Sequence, residues 1–219
     1  MEYPNGNIVA FYANTSDHNL DGWSEYAISR DGGKSWERYN RFPYSFEVYQ
    51  RDLSRSAWVE AGLVTQKGTV VVFITHFEVK DYRTMSGFMR SFDHGVSWTT
   101  YESIDGTYVG DPLGTAVDGN TNYIVYDSYG YPTWGPHVLY VSTDNGRSWR
   151  KRSTLSLQKD TWYGALTLMK DGGLLAGAYL TKDEDHFYYC ISTDQGHTWG
   201  KQRKAHVDKK IRDPELAYL

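Results

Sequence analysis

The sequence has almost no cysteine, no surplus of basic charge and no long hydrophobic run. Cys190 is the only cysteine among 219 residues, which excludes an internal disulfide and a cysteine-cluster metal site. Because 23 Lys and Arg stand against 27 Asp and Glu, the net charge is −4, and we expect no nucleic-acid partner. No apolar run approaches the roughly 18 residues that cross a bilayer, so we expect no membrane partner. The start MEYPNGN also differs from the charged and then apolar layout of a signal peptide.

Aromatic residues and an internal repeat are what the sequence does have. Aromatic residues make up 16% of the chain and hydrophobic residues 40%, which is too many for a disordered polypeptide. The pattern S-x-D-x-G-x-S/T-W occurs four times, at residues 29–36, 91–98, 142–149 and 192–199. Its aspartates are 62, 51 and 50 residues apart. Regular copies of this kind indicate a repeat fold.

Each copy of the pattern is interpreted as a structural turn. The aspartate can accept hydrogen bonds from N–H groups of its own turn, and the glycine allows a positive φ angle. The tryptophan then pins the turn against a neighbouring layer with a large buried ring. Identical copies at regular spacing favour this role over four catalytic or metal-binding aspartates. The aspartates and tryptophans of the four turns are Asp31, Trp36, Asp93, Trp98, Asp144, Trp149, Asp194 and Trp199.

Short runs rich in β-branched and aromatic residues flank every turn, and no window has a helical apolar period. The chain is therefore predicted to be all-β. Four antiparallel strands in each unit of about 50 residues are typical of a β-propeller blade. We predict one domain over residues 1–219, with blades at 7–42 together with 211–219, at 57–104, at 110–155 and at 161–204. The strand 211–219 would pair with the first blade and close a four-bladed ring; the alternative is part of a six-bladed ring.

The repeated turn resembles the Asp-box, or bacterial neuraminidase repeat (BNR), of the sialidase superfamily, and the resemblance covers essentially the whole chain. It implies a β-propeller that hydrolyses or binds glycans, sialylated ones among them, without a cofactor. If the protein is an enzyme, the resemblance implies a retaining exo-sialidase. Asp-boxes also occur in non-catalytic propellers, and sialidases usually have six blades. A non-catalytic module that binds glycans or proteins, and an inactive truncated or engineered propeller, therefore stay as alternatives.

The two ends of each predicted blade carry different features: the Asp-boxes lie at one end and the candidate functional residues at the other. Successive turns of an antiparallel meander alternate between the two ends of a sheet, and all four boxes join the third and fourth strands. The inner strands therefore begin at the opposite end, around the central channel, and we expect the functional residues there. These strand starts carry Trp58 and Glu60, Gly110 and Asp111, Trp162 and Tyr163, and Arg212 and Asp213.

The resemblance also implies how a sialylated substrate would be recognised. Sialidases have an Arg-Ile-Pro motif whose arginine binds the substrate carboxylate. The segment IRDPELAYL is similar, which makes Arg212 the candidate, although Asp213 replaces the isoleucine. A planar guanidinium matches a carboxylate with two parallel hydrogen bonds. The acid/base aspartate of the family lies on a loop before the first box, where NTSDHNLDGW offers Asp17 and, as second choice, Asp21.

The segment WYGALTLMKDGGLLAGAYL is similar to the one that carries the nucleophilic tyrosine of sialidases, which implies this role for Tyr163. A neutral tyrosine suits an anomeric carbon that already bears a carboxylate. It needs a carboxylate nearby to accept its proton, and Glu60 is the candidate. The family's site has three arginines, and Arg51, Arg55 and Arg83 are loop candidates for the other two.

Two further predictions concern substrate binding and metals. The segment YGYPTWGPH at 129–137 presents Tyr131 and Trp134, whose rings could stack on a sugar; Trp134 and Asp111 join Arg212 as predicted binding residues. The seven histidines lack zinc-site spacing, so no metal is expected. The chain as given would stay in the cytoplasm, whereas part of a typical sialidase would be secreted.

Overall fold

The computed structural model describes residues 1–206 apart from 4, 16–21, 40, 52–54, 79–82, 105–109, 128, 131–132, 135, 158–160 and 181–182. The described residues form seventeen strands and one short helix, which confirms the all-β prediction. The chain divides into two compact units, Met1–Tyr108 and Val109–Leu219. Within the described part, no helix is long and apolar enough to cross a membrane.

The first unit contains two antiparallel sheets, with strand orders β1-β2-β3 and β4-β5-β6-β7. Its elements are β1 (Ile8–Thr15), β2 (Gly22–Ser29), β3 (Glu37–Tyr39), α1 (Pro43–Arg51), β4 (Arg55–Val64), β5 (Val70–Glu78), β6 (Arg83–Ser91) and β7 (Glu102–Ser103). Val9 and Ile28 of the first sheet share one core with Val70, Val72 and Ile74 of the second. The three β5 residues are two apart, as they must be to point to one face of a strand.

The second unit contains two four-stranded sheets, with orders β13-β12-β9-β8 and β14-β15-β16-β17, and a separate hairpin β10-β11. Its strands are β8 (Pro112–Asp118), β9 (Thr121–Tyr126), β10 (Tyr129–Gly130), β11 (Thr133–Trp134), β12 (Val138–Ser142), β13 (Arg150–Thr154), β14 (Thr161–Leu168), β15 (Leu174–Leu180), β16 (Asp183–Ser192) and β17 (Arg203–His206). Val125 and Leu139 pack with Leu174 and Cys190 in one core. Burial raises the pKa of the Cys190 thiol to about 12, so this cysteine is no candidate nucleophile.

Three of the predicted blades are four-stranded meanders whose strands follow one another in chain order. The first sheet has three strands, and the strand predicted at 211–219 lies outside the described residues. The described neighbour of β1 at Val9 is the N-terminus: the Met1 ammonium donates to the Val9 carbonyl and the Val9 amide donates to the Met1 carbonyl, both at 2.9 Å. Closure of the ring by 211–219 stays a prediction.

Helix α1 is the element that the sequence analysis does not predict. Pro43 occupies its first position, where a missing N–H costs nothing, and the Phe46 amide donates to the Phe42 carbonyl at 3.0 Å. Ser45 is buried and accepts a hydrogen bond of 2.7 Å from the backbone amide of Ser24 in β2. The helix therefore packs on β2 and β4, where it supports the first strand of the second sheet.

Candidate functional site

The four Asp-boxes have the same hydrogen bonds, and these bonds close each box as a tight turn. In the first box one oxygen of Asp31 accepts the Ser35 amide at 2.8 Å and the other accepts the Ser35 hydroxyl at 2.6 Å. Ser29 donates its hydroxyl to the same carboxylate and accepts the Gly33 amide. The hydroxyl of Ser35 and the backbone bonds lower the pKa of Asp31 to about 2. Because the turn itself satisfies the carboxylates, they are not available for catalysis.

Two successive residues of each box have positive φ angles. The glycines have φ between 75° and 89°, as predicted. The residue before each glycine also lies in this region, which is uncommon for residues with a side chain. These preceding residues are Gly32, His94, Asn145 and Gln195.

The box tryptophans differ in burial. Trp98 packs against Phe42, Phe11 and Tyr26 of the preceding sheet, with ring centroids 5.1, 5.7 and 6.1 Å away. Trp149 is 6% exposed, whereas Trp36 is 41% exposed. The prediction that every box tryptophan is buried is therefore wrong for Trp36, which lines an open groove together with Ala10, Tyr12, Ala27 and Arg38.

Replacing a box aspartate should destabilise the fold without a change at the opposite sheet ends. Asp144 accepts the Ser142 hydroxyl and both the amide and hydroxyl of Ser148. We expect Asp144→Asn to lower the free energy of unfolding by about 1–3 kcal/mol, because an amide keeps one acceptor oxygen and loses the charge. Urea denaturation measures this, with Asp118→Asn as a control that should stay within about 0.5 kcal/mol. An unchanged midpoint for Asp144→Asn would contradict the structural role.

The first strands of three sheets share a β-bulge, which lies near the start of β8 and of β14 and in the middle of β4. The register shifts between Val59 and Ala61 in β4, between Pro112 and Gly114 in β8, and between Trp162 and Ala165 in β14. Bulges change the direction of side chains and are common next to active sites. Two predicted catalytic residues, Glu60 and Tyr163, lie in these bulges.

Glu60 is exposed, and the backbone beside it is held by a buried serine. The Ser24 hydroxyl oxygen accepts the Val59 amide at 2.9 Å, and the Ser24 amide is bound in turn by Ser45 of α1. The amide next to the bulge is thereby satisfied by a side chain from the neighbouring sheet. This is how the helix that the sequence did not predict fixes the strand carrying Glu60.

The loop that contains Asp17 and Asp21 lies outside the described residues, but its end is defined. A Cβ atom on Gly22, the first residue after the loop, would lie 2.7 Å from the Trp58 indole. Trp58 belongs to β4, two residues before Glu60. The end of the Asp17 loop and the strand start that carries Glu60 are therefore neighbours within the first unit.

Asp111 and Tyr163 come from neighbouring strands of the second unit. A Cβ atom on Gly114 would lie 2.5 Å from the Leu166 amide nitrogen, and one on Gly164 would lie 2.8 Å from the Leu113 side chain. These close approaches place β8 and β14 side by side and in the same direction. The start of β8, which follows Asp111, is therefore next to the start of β14, which contains Tyr163.

Sequence analysis missed two titratable residues, Asp127 and His137, that form a row with Asp111 at the same end of the second unit. Asp111 precedes β8, Asp127 follows β9, and His137 precedes β12, so the three lie side by side across the sheet. Asp127 is 5% exposed, and its oxygen accepts the Asp111 amide at 2.6 Å. Burial and the nearby Asp111 charge raise the pKa of Asp127 to about 7, and burial lowers the pKa of His137 to about 4. The signal in the sequence that could have identified Asp127 is its position directly after the apolar run of β9, the second strand of this sheet.

The remaining predicted residues divide into placed and unplaced ones. Arg55 begins β4 and Arg83 begins β6, and both pair with Glu78 of β5, so the three share one row at the end of the sheet away from the boxes. Both arginines are therefore strand residues and not loop residues as predicted. Arg51 ends α1. Trp134 lies in β11 opposite Tyr129, in a small hairpin that the prediction treated as a loop. Arg212, Asp213 and Tyr131 lie outside the described residues.

Comparisons with known proteins agree with this arrangement. The family model described as BNR/Asp-box repeat matches residues 27–38 and 140–151. A protein of unknown function from Dyadobacter fermentans is similar in structure, with a TM-score of 0.69, 15% identity, and 93% of this chain and 66% of that chain covered. A NanB sialidase from Streptococcus pneumoniae has a TM-score of 0.65 and 12% identity, with 97% and 52% covered. The chain has a sialidase-like Asp-box β-propeller fold.

The Asp-box propeller is also similar to an α-L-arabinanase from Penicillium chrysogenum complexed with arabinobiose, with a TM-score of 0.62 and 13% identity over 92% of this chain and 60% of that one. The chain spans between about half and two thirds of the length of these three solved structures. No curated protein matches the sequence. At these identities the similarity concerns the fold of the Asp-box propeller.

The described side chains of the Asp-box propeller contain no group of three or more His, Cys, Asp or Glu that could hold a metal ion. What the described site offers instead is carboxyl groups and aromatic residues at the starts of inner strands. Such groups suit acid/base chemistry and the binding of sugars.

Proposed function

We propose that this Asp-box propeller acts on glycans at the sheet ends opposite the boxes, as a sialidase-like retaining glycoside hydrolase. The observation that carries the proposal is the pair of bulges that contain Glu60 and Tyr163. A carboxylate and a tyrosine are the residue types that a sialidase nucleophile needs, and both lie where the inner strands are bent. The sialidase and arabinanase among the similar structures support a glycan as substrate.

In the proposed mechanism Tyr163 attacks the anomeric carbon and its phenolic proton passes to a carboxylate, the role that the family resemblance implies for Glu60. Asp17 gives a proton to the leaving glycosidic oxygen as its bond to the sugar breaks. Water then attacks the anomeric carbon and gives a proton to Asp17, while the phenolic oxygen leaves the sugar and takes back its proton from the carboxylate, so the product has retained configuration. A carboxylate as nucleophile would be repelled by the sugar carboxylate, whereas the hydroxyl of a neutral tyrosine is not.

Substrate binding is assigned to the basic and polar residues of the same ends. Arg212 would bind the sugar carboxylate with its planar guanidinium, and Arg55 and Arg83, which share a row at this edge, are the proposed second and third arginines. Asp111 would accept hydrogen bonds from sugar hydroxyls, and Trp134 would stack on a pyranose ring.

The test is release of 4-methylumbelliferone from its sialoside. We expect Tyr163→Phe to lower kcat by about a thousandfold or more, because the hydroxyl that forms the covalent bond is lost. Tyr123→Phe, a buried tyrosine of the same unit, is the matched control and should keep kcat within about twofold. Full activity of Tyr163→Phe would refute the proposed nucleophile.

The second candidate function is non-catalytic binding of a glycan through the same sheet ends. It is supported by the Asp-boxes, which also occur in non-catalytic propellers, and by the similar Dyadobacter fermentans protein, which is of unknown function. Titration calorimetry with 3′-sialyllactose separates the two functions. Saturable binding without turnover would identify a binding module, and turnover that depends on Tyr163 would identify the hydrolase.

A further inference from the structure

Asp127 is hydrogen-bonded to the residues just before β8, the first strand of the third predicted blade. Its backbone amide donates to the Asp111 carbonyl at 3.1 Å, and its own carbonyl accepts the Gly110 amide at 3.0 Å. Its side-chain oxygen accepts the Asp111 amide at 2.6 Å. Three hydrogen bonds thus tie residues 110–111 to this one aspartate, at the point where β8 leaves its neighbour at a bulge.

Gly110 packs so closely against Asp127 that no side chain fits at position 110. A Cβ atom on Gly110 would lie 1.9 Å from the side-chain oxygen of Asp127 and 2.3 Å from its carbonyl oxygen. Any residue other than glycine at 110 would therefore push the two segments apart. Asp127 is almost fully buried and Asp111 is only partly buried, so of the two aspartates Asp111 is the more accessible.

The described titratable groups around Asp127 are Asp111 before β8, His137 before β12 and Tyr126 in β9 itself. Burial holds the imidazole of His137 neutral, since its pKa is about 4. The raised pKa of Asp127 keeps its carboxyl group neutral in acid and lets it ionise near pH 7. Above that pH the carboxylates of Asp127 and Asp111 would lie close together, and their mutual repulsion is unfavourable.

We propose that Asp127 is a positioning residue that holds Asp111 in place for contact with the glycan. This inference rests on the proposed function, in which Asp111 binds sugar hydroxyls. Ionisation of Asp127 would place a second negative charge behind Asp111 and repel its carboxylate. Binding at this strand start then becomes weaker as the pH rises.

The positioning can be measured without any ligand. In ¹H–¹⁵N spectra of the full chain between pH 5 and 9, we expect the amide resonance of Asp111 to follow one titration with a midpoint near pH 7, since its N–H is bonded to Asp127. Asp127→Asn should abolish this titration. A flat Asp111 resonance in the wild type, or the same titration in Asp127→Asn, would overturn the proposal.

The effect on function is measured with the 4-methylumbelliferyl sialoside, or with 3′-sialyllactose if only binding occurs. At pH 6 we expect Asp127→Ala to raise KM or Kd about tenfold and to keep kcat within about twofold of wild type. Asp127→Asn should have a KM or Kd within about threefold of wild type. Gly110→Ala should match Asp127→Ala. The rise of KM above pH 7 should occur in the wild type and be absent in Asp127→Asn.

Two results would overturn the functional part of this inference. One is an Asp127→Ala variant that binds as the wild type does; the other is an Asp127→Asn variant as impaired as Asp127→Ala. If the wild type neither hydrolyses nor binds the sialosides, the proposed function fails, and the Asp111 amide titration still decides whether Asp127 positions this segment.

Discussion

Trp149→Ala is expected to lower the free energy of unfolding by about 3–5 kcal/mol, because a large, almost fully buried ring leaves a cavity. The same change at the equivalent position of the first box, Trp36→Ala, should cost about 1 kcal/mol, since two fifths of that side chain is already exposed. Urea denaturation of both variants at one pH and temperature measures the difference.

The two tryptophans are a matched pair, because each closes an Asp-box with the same hydrogen bonds at its aspartate. The difference between the two variants therefore measures the contribution of tryptophan burial, because the hydrogen bonds of the turn are the same in both boxes. Equal losses for the two variants would contradict the burial seen here. A loss of glycan binding without a loss of stability in Trp149→Ala would contradict the assignment of the boxes to a structural role.

Raising the pH from 4 to 7 is expected to lower the free energy of unfolding by about 4 kcal/mol through Asp127 alone. The pKa of its carboxyl group rises from 3.8 to about 7 on folding, because the group is buried and lies near Asp111. The folded chain holds the proton more tightly than the unfolded chain does. The stabilisation is therefore complete below pH 4 and is lost as the pH rises to about 7.

Denaturation of wild type and Asp127→Asn over this pH range provides the measurement. The amide does not titrate, so the difference between the two proteins should shrink by about 1.4 kcal/mol for each pH unit from 4 to 7. The comparison cancels the titration of the other carboxylates, including the box aspartates, whose lowered pKa values act at more acidic pH. A constant difference would mean that Asp127 is not neutral in the folded state.

The repeated turns and most strands could be predicted because their signals are local. An Asp-box is satisfied by its own hydroxyls and amides, so Asp31 has the same partners whatever lies beside its sheet. Alternation along β5 likewise follows from the strand itself. These features need only a few neighbouring residues, and the sequence supplies them all.

What was missed depends on partners distant in sequence. Helix α1 contains Tyr44, Phe46 and Tyr49, which favour strands, and the helix is stabilised by tertiary packing on β2 and β4. The exposure of Trp36 depends on whether another sheet covers it. The bulges arise from pairing between strands, and a single strand carries no sign of them.

The location of the candidate site at the starts of strands could be predicted from the sequence, but not all of its residues could. Asp111 and Tyr163 lie at the starts of β8 and β14, as the alternation of turns requires, whereas Glu60 is the sixth residue of β4 because that strand already begins at Arg55. Asp127 was overlooked because it ends a strand that reads as buried, and only the pairing of β9 with β8 brings it to Asp111. Its burial, which makes it chemically unusual, is a property of the packed sheet.

The box turns and the bulges differ in what a substitution would cost. Each box turn is closed by its own side-chain hydrogen bonds, whereas the bulges interrupt the ladder of the first strands. The exposed residue at position 60 can therefore be exchanged at small thermodynamic cost, while Leu113, in the bulge of β8, packs on the core and cannot. Under the proposed function, exposed bulge positions of this kind could be varied, in nature or by design, without rebuilding the core.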